Sequence, residues 1–202
     1  MNMKTGLFIA MILSLSFPIS CATPKIDMAS VWKDKAYQGK YFRKVLVIGD
    51  PQKQKVRRMF EEEVVVQLKD RGTDAIASYT IIPFDKLLDK ATVKEKLKGL
   101  GIDSILVTEL VFKTTEEDHS PPPPNWNEYY TQSFGYGRGI FANRTEGGTV
   151  FARLQTKLFD ARTEEPVWSA SSSVLAVVKP YKEIKSFVRT LIEKLAEERL
   201  VK

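Results

Sequence analysis

The sequence predicts an α/β (α+β) fold with a single mixed sheet, ordered β-α-β-α-β-β-β-α. The first half is expected to be parallel and the second to add an antiparallel hairpin. Three observations carry this. Arg43-Lys44-Val45-Leu46-Val47-Ile48-Gly49 is a continuous apolar run of strand length, as in a strand buried on both faces. Strand-like and helix-like stretches then alternate through Phe112, the pattern of right-handed crossovers onto a parallel core. From Val150 the apolar period drops to two, which marks half-exposed strands.

Taken in order, Asp50-Pro51 after the first strand offers an N-cap with proline at the first helical position. Val56, Met59, Phe60, Val64 and Leu68 then recur at helical spacing, and Gly72 closes the helix. The acids Glu61-Glu62-Glu63 are expected on its wet face. Ala75 to Ile82 reads as the second strand, and Thr92 to Leu100 as a short helix stopped by Gly101. Ile102 to Phe112 gives a third, largely apolar strand. Val150, Ala152, Leu154, Thr156 and Leu158 alternate with Phe151, Arg153, Gln155, Lys157 and Phe159, a turn follows at 160–166, and Val167 to Val178 returns as the hairpin partner. Pro180 starts the last helix, with Ile184, Phe187, Val188, Leu191, Ile192 and Leu195 on one stripe.

Ahead of this domain lies a leader. Lys4 precedes an apolar stretch from Gly6 to Phe17, which runs into Pro18-Ile19-Ser20-Cys21-Ala22. A basic start, a short apolar core and small residues at the end have the layout of a secretory signal peptide. The core falls short of the ~20 apolar residues that span a bilayer. Residues 1–21 are therefore assigned to the signal, 22–40 to a tether and 41–202 to the domain, which carries a long Pro/aromatic loop at 113–148.

The end of the leader resembles the bacterial lipoprotein signal. Ser20 supplies the small residue before Cys21 and Ile19 is tolerated, while Pro18 stands where an aliphatic residue is preferred. The resemblance implies acylation of Cys21 and attachment to the periplasmic face of a membrane. Ala22 in the next position favours the outer one. An ordinary signal cut after Ala22, releasing a soluble periplasmic protein, is the alternative. Cys21 is the chain's one cysteine, so an exported product has no internal disulfide to make with it.

Three phrases extend the likeness to the domain. They are Lys44-Val45-Leu46-Val47-Ile48-Gly49, Gly101-Ile102-Asp103-Ser104-Ile105-Leu106-Val107, and Leu158-Phe159-Asp160-Ala161-Arg162-Thr163 leading to Val167-Trp168. Together with the element order, they resemble the N-terminal domain of the translocation protein TolB, the periplasmic domain of the curli-secretion lipoprotein and small uncharacterised envelope lipoproteins. That resemblance implies an envelope location and this fold.

The chain carries a formal net charge of +6, and removing Lys4 with the leader leaves +5. Its lysines interleave with glutamates, as in Lys94-Glu95-Lys96, so the excess is spread over solvated helix faces. Nucleic-acid binding is not expected from an exported chain without a basic cluster.

The candidate binding residues lie in the 113–148 loop. Pro121 to Pro124 form a stiff spacer, followed by Trp126, Tyr129, Tyr130, Phe134, Tyr136, Arg138 and Phe141 among glycines. Trp, Tyr and Arg dominate interface energetics, so a partner-docking or self-association loop is one reading. Aromatics folded back over a sheet face is the other. A glycan or small-ligand binder would use Trp126, Tyr129 and Tyr136 as stacking platforms.

No catalytic residues, metal site or cofactor are expected. Glu109 in its apolar strand invites a lysine or arginine partner more than a catalytic role. Gly49-Asp50 lacks the further glycines of a phosphate-binding turn. His119 is the sole histidine, and Asn143-Arg144-Thr145 is read as a chance sequon. The expectation is a lipid-anchored, periplasm-facing scaffold or accessory protein that acts by binding a protein of the envelope.

Overall fold

The computed structural model describes residues 26, 28–49, 54–86, 90–111, 151–175 and 180–202. Among the described residues six strands form one sheet: β1 (Met28–Lys33), β2 (Lys44–Ile48), β3 (Asp74–Ala77), β4 (Ser104–Val111), β5 (Phe151–Asp160) and β6 (Pro166–Leu175). Their spatial order is β1-β6-β5-β4-β2-β3. The helices are α1 (Gln54–Asp70), α2 (Lys90–Leu97) and α3 (Pro180–Glu197).

The mixed sheet agrees with the sequence. β2 pairs in parallel with both β3 and β4, and β5 runs antiparallel to β4 and β6. β2 is bordered on both sides and its side chains are buried on both faces, which is why Val45 to Ile48 read as an unbroken apolar run.

The first strand is the departure. Met28–Lys33 falls within the expected tether, yet it pairs antiparallel with β6, with Met28 opposite Ser172 and Trp32 opposite Ser169. Ile26 just ahead of it is buried in the main core. The stretch is short and interrupted by Ala29-Ser30, and a register shift lies between Ala29 and Trp32, so no clean alternation announced it. β3 is also shorter than expected, because the chain leaves the sheet at Ser78 for a single 3-10 turn, Ser78–Thr80.

On the front face α1 and α3 pack together over the sheet. Phe60, Val64 and Leu68 of α1 meet Phe187, Val188, Leu191, Ile192 and Leu195 of α3 above Val45, Val47, Leu106, Leu158 and Trp168. The back-face core is smaller and gathers Val93 of α2 with Leu46, Ile48, Ile82, Ile105, Val107 and Phe159.

The two ends of the sheet differ. At the lower end the chain is stitched together: Asp103 accepts hydrogen bonds from the Arg43 and Lys44 amides at 2.9 and 3.0 Å. Phe42 N–H donates to Leu200 O at 2.8 Å, and Lys202 N–H to Thr73 Oγ1 at 3.0 Å. The upper end holds the carboxyl ends of β2, β3, β4 and β6 and the first residues of β1, β5, α1 and α3. Register places Ile48 opposite Val107, so β4 and β5 continue beyond β2 for four more residues of β4, about 13 Å.

Candidate functional site

The upper end and the back face of β4–β6 hold the polar groups that the core does not explain. A first cluster fastens α1 to the carboxyl ends of β2 and β3. Glu61 is fully buried, and its Oε1 accepts from Gly49 N–H at 2.9 Å, Arg57 Nε at 2.8 Å and Ser78 Oγ at 2.6 Å. Its Oε2 accepts from Tyr79 N–H at 2.8 Å. Arg57, equally buried, also donates to Ser78 Oγ at 2.8 Å.

This corrects one expectation. Glu61 is not on the wet face of α1, because Arg57 one turn earlier and the strand-end amides together replace its hydration. Glu62 does face solvent and accepts the Tyr79 hydroxyl at 2.6 Å, which raises the phenol pKa above its ordinary value. The Arg58 guanidinium lies 5.2 Å over the Tyr79 ring.

Gly49 is needed for close approach. A Cβ there would lie 3.0 Å from Phe60 Cδ1 and 3.3 Å from Arg57 Cα, so α1 rests directly on the strand end. The Gly49 amide, which a phosphate-binding turn would present to its ligand, is already given to Glu61. The arrangement is a clamp on the strand ends.

The second cluster lies on the back face, where side chains opposite one another in register share a face. Val107 is opposite Lys157, and Lys157 is opposite Ser169; Glu109 is opposite Gln155, and Gln155 is opposite Ser171. The apolar back-face core thus gives way toward the upper end to Glu109, Lys157, Gln155 and two serines. Lys157, Ser169 and Ser171 are each only 7% exposed. Lys157 Nζ reaches Glu109 Oε1 at 3.4 Å, which is the basic partner the sequence asked for at Glu109. Burial pulls the amine below the ordinary lysine value, and Glu109 offsets part of that shift. On the front face at the same level, Thr108 and Thr156 share a hydrogen bond of 2.9 Å.

Chemically the first cluster is an ion pair enclosed by hydrogen bonds, and the second is an ion pair set among buried polar side chains. Among the described residues there is no group of three or more His, Cys, Asp or Glu side chains that could hold a metal. No described helix is long and apolar enough to cross a membrane.

Cys21 and the loop residues Trp126, Tyr129, Tyr130, Phe134, Tyr136, Arg138 and Phe141 lie outside the described residues, as do Asp50, His119 and Asn143. Sequence reasoning missed Lys157, Arg57 and Ser78. The signal for Lys157 was its place in an alternating strand next to Phe159; for Arg57 the i,i+4 spacing to Glu61 was visible, but the burial of the pair depends on Ser78, which lies beyond the next strand.

No family model matches the chain, and it matches no curated protein. Among solved structures it is similar to the PelC dodecamer from Paraburkholderia phytofirmans, at 14% identity and a TM-score of 0.40, over 86% of this chain and 99% of that one. It is also similar to lipoprotein GNA1162 from Neisseria meningitidis, at 13% identity and a TM-score of 0.41, over 76% of this chain and 98% of that one. Similarity at this level carries no functional information.

Proposed function

We propose that this chain is a lipid-anchored, periplasm-facing protein of the cell envelope that acts by binding rather than catalysis, as a scaffold or accessory in envelope assembly or transport. Cys21 would carry the anchor. The segment between β4 and β5 would carry the docking residues, with Trp126, Tyr129, Tyr130, Phe134, Tyr136, Arg138 and Phe141 as its contacts.

One observation supports the docking role above the rest. β4 and β5 are antiparallel neighbours, with Val111 opposite Arg153, and such strands are commonly joined by about two to five residues. This chain instead runs from 112 to 150 between them. A long connection rich in Trp, Tyr and Arg, set on a scaffold whose own ion pairs are closed, is the usual arrangement of a recognition loop.

The test is recovery of cross-linked partners from membranes with the full chain and with a variant lacking 120–148. Partners captured by the full chain and lost from the variant support docking, and an unchanged partner set rejects it. Mass spectrometry of the mature N-terminus tests the anchor. A diacylated or triacylated Cys21 is the expected species, and a protein beginning at an unmodified Thr23 rejects it.

A further inference from the structure

We infer that the upper end of the domain is a membrane-facing surface, and that the partner it fits is the lipid bilayer itself. This rests on the reading that Cys21 is acylated, and it adds which part of the protein the anchor holds against the membrane.

The argument turns on the length of the leash. With a tether from 22 to 40, Cys21 would stand twenty chain steps from Tyr41, and an extended chain of that length reaches about 70 Å. Any face of the domain could then turn to the bilayer. The fold removes that freedom. Ile26 is seated in the front-face core and β1 is paired with β6 from Met28 onward, so only five chain steps separate Cys21 from a fixed point. Five steps reach at most about 18 Å. A domain of this size has a radius of gyration of about 15 Å, so the leash is shorter than the domain is wide.

Ile26 enters at the upper end. Met28 is opposite Ser172, Ser172 is opposite Leu154, and Leu154 is opposite Leu110, which places the start of β1 level with the end of β4. From there α1 and α3 run downward for 17 and 18 residues, about 25 Å. The stitched lower end is therefore held well away from the bilayer, while Val111 and Phe151, where the chain leaves and re-enters the sheet, are held beside it.

The exposed chemistry of the upper end suits a lipid headgroup layer. In the first two turns of α1 and α3 the exposed side chains are Gln54, Lys55, Arg58, Lys182 and Lys185, with Glu183 half-buried, and the exposed Glu62 follows on α1, so cations outnumber acids. Cations near a membrane surface are attracted to anionic headgroups.

The experiment uses the full acylated protein in vesicles of phosphatidylethanolamine and phosphatidylglycerol that contain a nitroxide-labelled lipid. With Cys21 acylated, one introduced cysteine is the only free thiol for a fluorophore. Labels at Gln54→Cys and Lys182→Cys report the upper end, and labels at Lys98→Cys and Glu197→Cys report the lower end. Loss of emission from the upper pair, with the lower pair unquenched, is the expected result. Equal quenching of both pairs, or stronger quenching of the lower pair, on protein shown by mass to be acylated overturns the orientation and leaves the anchor standing. A protein with an unmodified N-terminus overturns anchor and orientation together.

Discussion

Arg57 and Glu61, one helical turn apart on α1, form an ion pair of 2.8 Å that is almost completely withdrawn from solvent. Breaking a buried pair by removing one partner costs about 3–5 kcal/mol, because the other charge stays buried and uncompensated. Arg57→Met is therefore expected to lower unfolding stability by about that amount in urea titration. The double variant Arg57→Met/Glu61→Met should lose less than the sum of the two single losses. A double-variant loss equal to the sum of the two single losses would show that the two side chains act independently.

Lys157 gives a pH dependence at the alkaline end of the range. Burial holds its native pKa below the ordinary value of 10.5. Between the native pKa and 10.5 the unfolded chain binds the extra proton, so stability rises with pH across that window. Lys157→Met should flatten this rise. Urea midpoints measured from neutral pH up to 10.5 for both proteins provide the check, and parallel curves would contradict it.

Asp160 acts at the acid end. Burial pushes its carboxyl up, but hydrogen bonds from the Arg162 side chain and from the Arg162 and Thr163 amides outweigh this and hold it below 3.8. A carboxylate with a depressed native pKa contributes stability that is present above its unfolded value and lost as pH falls through the native one. Asp160→Asn keeps an oxygen for the two amides and loses the charge. Its stability curve should fall less steeply below pH 3.8 than that of the native chain.

The ends of α1 and α3 use the same backbone device with different residues. Thr73 N–H donates to Leu68 O and Gly72 N–H to Lys69 O, while Leu200 N–H donates to Leu195 O and Arg199 N–H to Ala196 O. Both fold-backs need a left-handed residue, supplied by Gly72 at φ 85° and Arg199 at φ 58°. Gly72→Ala should cost about 1 kcal/mol, and Arg199→Gly should gain a few tenths to about 1 kcal/mol. Thermal unfolding of the two variants would show shifts of opposite sign.

Much of the sheet was legible because its signals are local. Val45 to Ile48 are apolar without a break, Pro180 starts α3 where proline is favoured, and Gly72 ends α1. The elements that were misread depend on partners distant in sequence. Met28–Lys33 is a strand through its pairing with β6, and its cross-strand partners, Ser172, Ser171, Ser169 and Trp168, are far away in sequence. Glu61 reads as one of three exposed acids until Gly49, Ser78 and Tyr79 are brought around it. The polar back face was illegible for the same reason, since Lys157 and Glu109 meet only when β4 and β5 are in register.

The pairing of β1 with β6 also fixes when the domain can be completed. Met28 is among the first residues of the domain to be synthesised, and its partner Ser172 among the last. Lys33 likewise waits for Glu198, whose backbone oxygen accepts its amine at 2.6 Å. Contacts of such long sequence separation form late and slowly. A chain that emerges N-terminus first therefore keeps its opening strand unpaired until β6 has appeared, and leaves Lys33 without its helix-end partner until the end of α3 has followed.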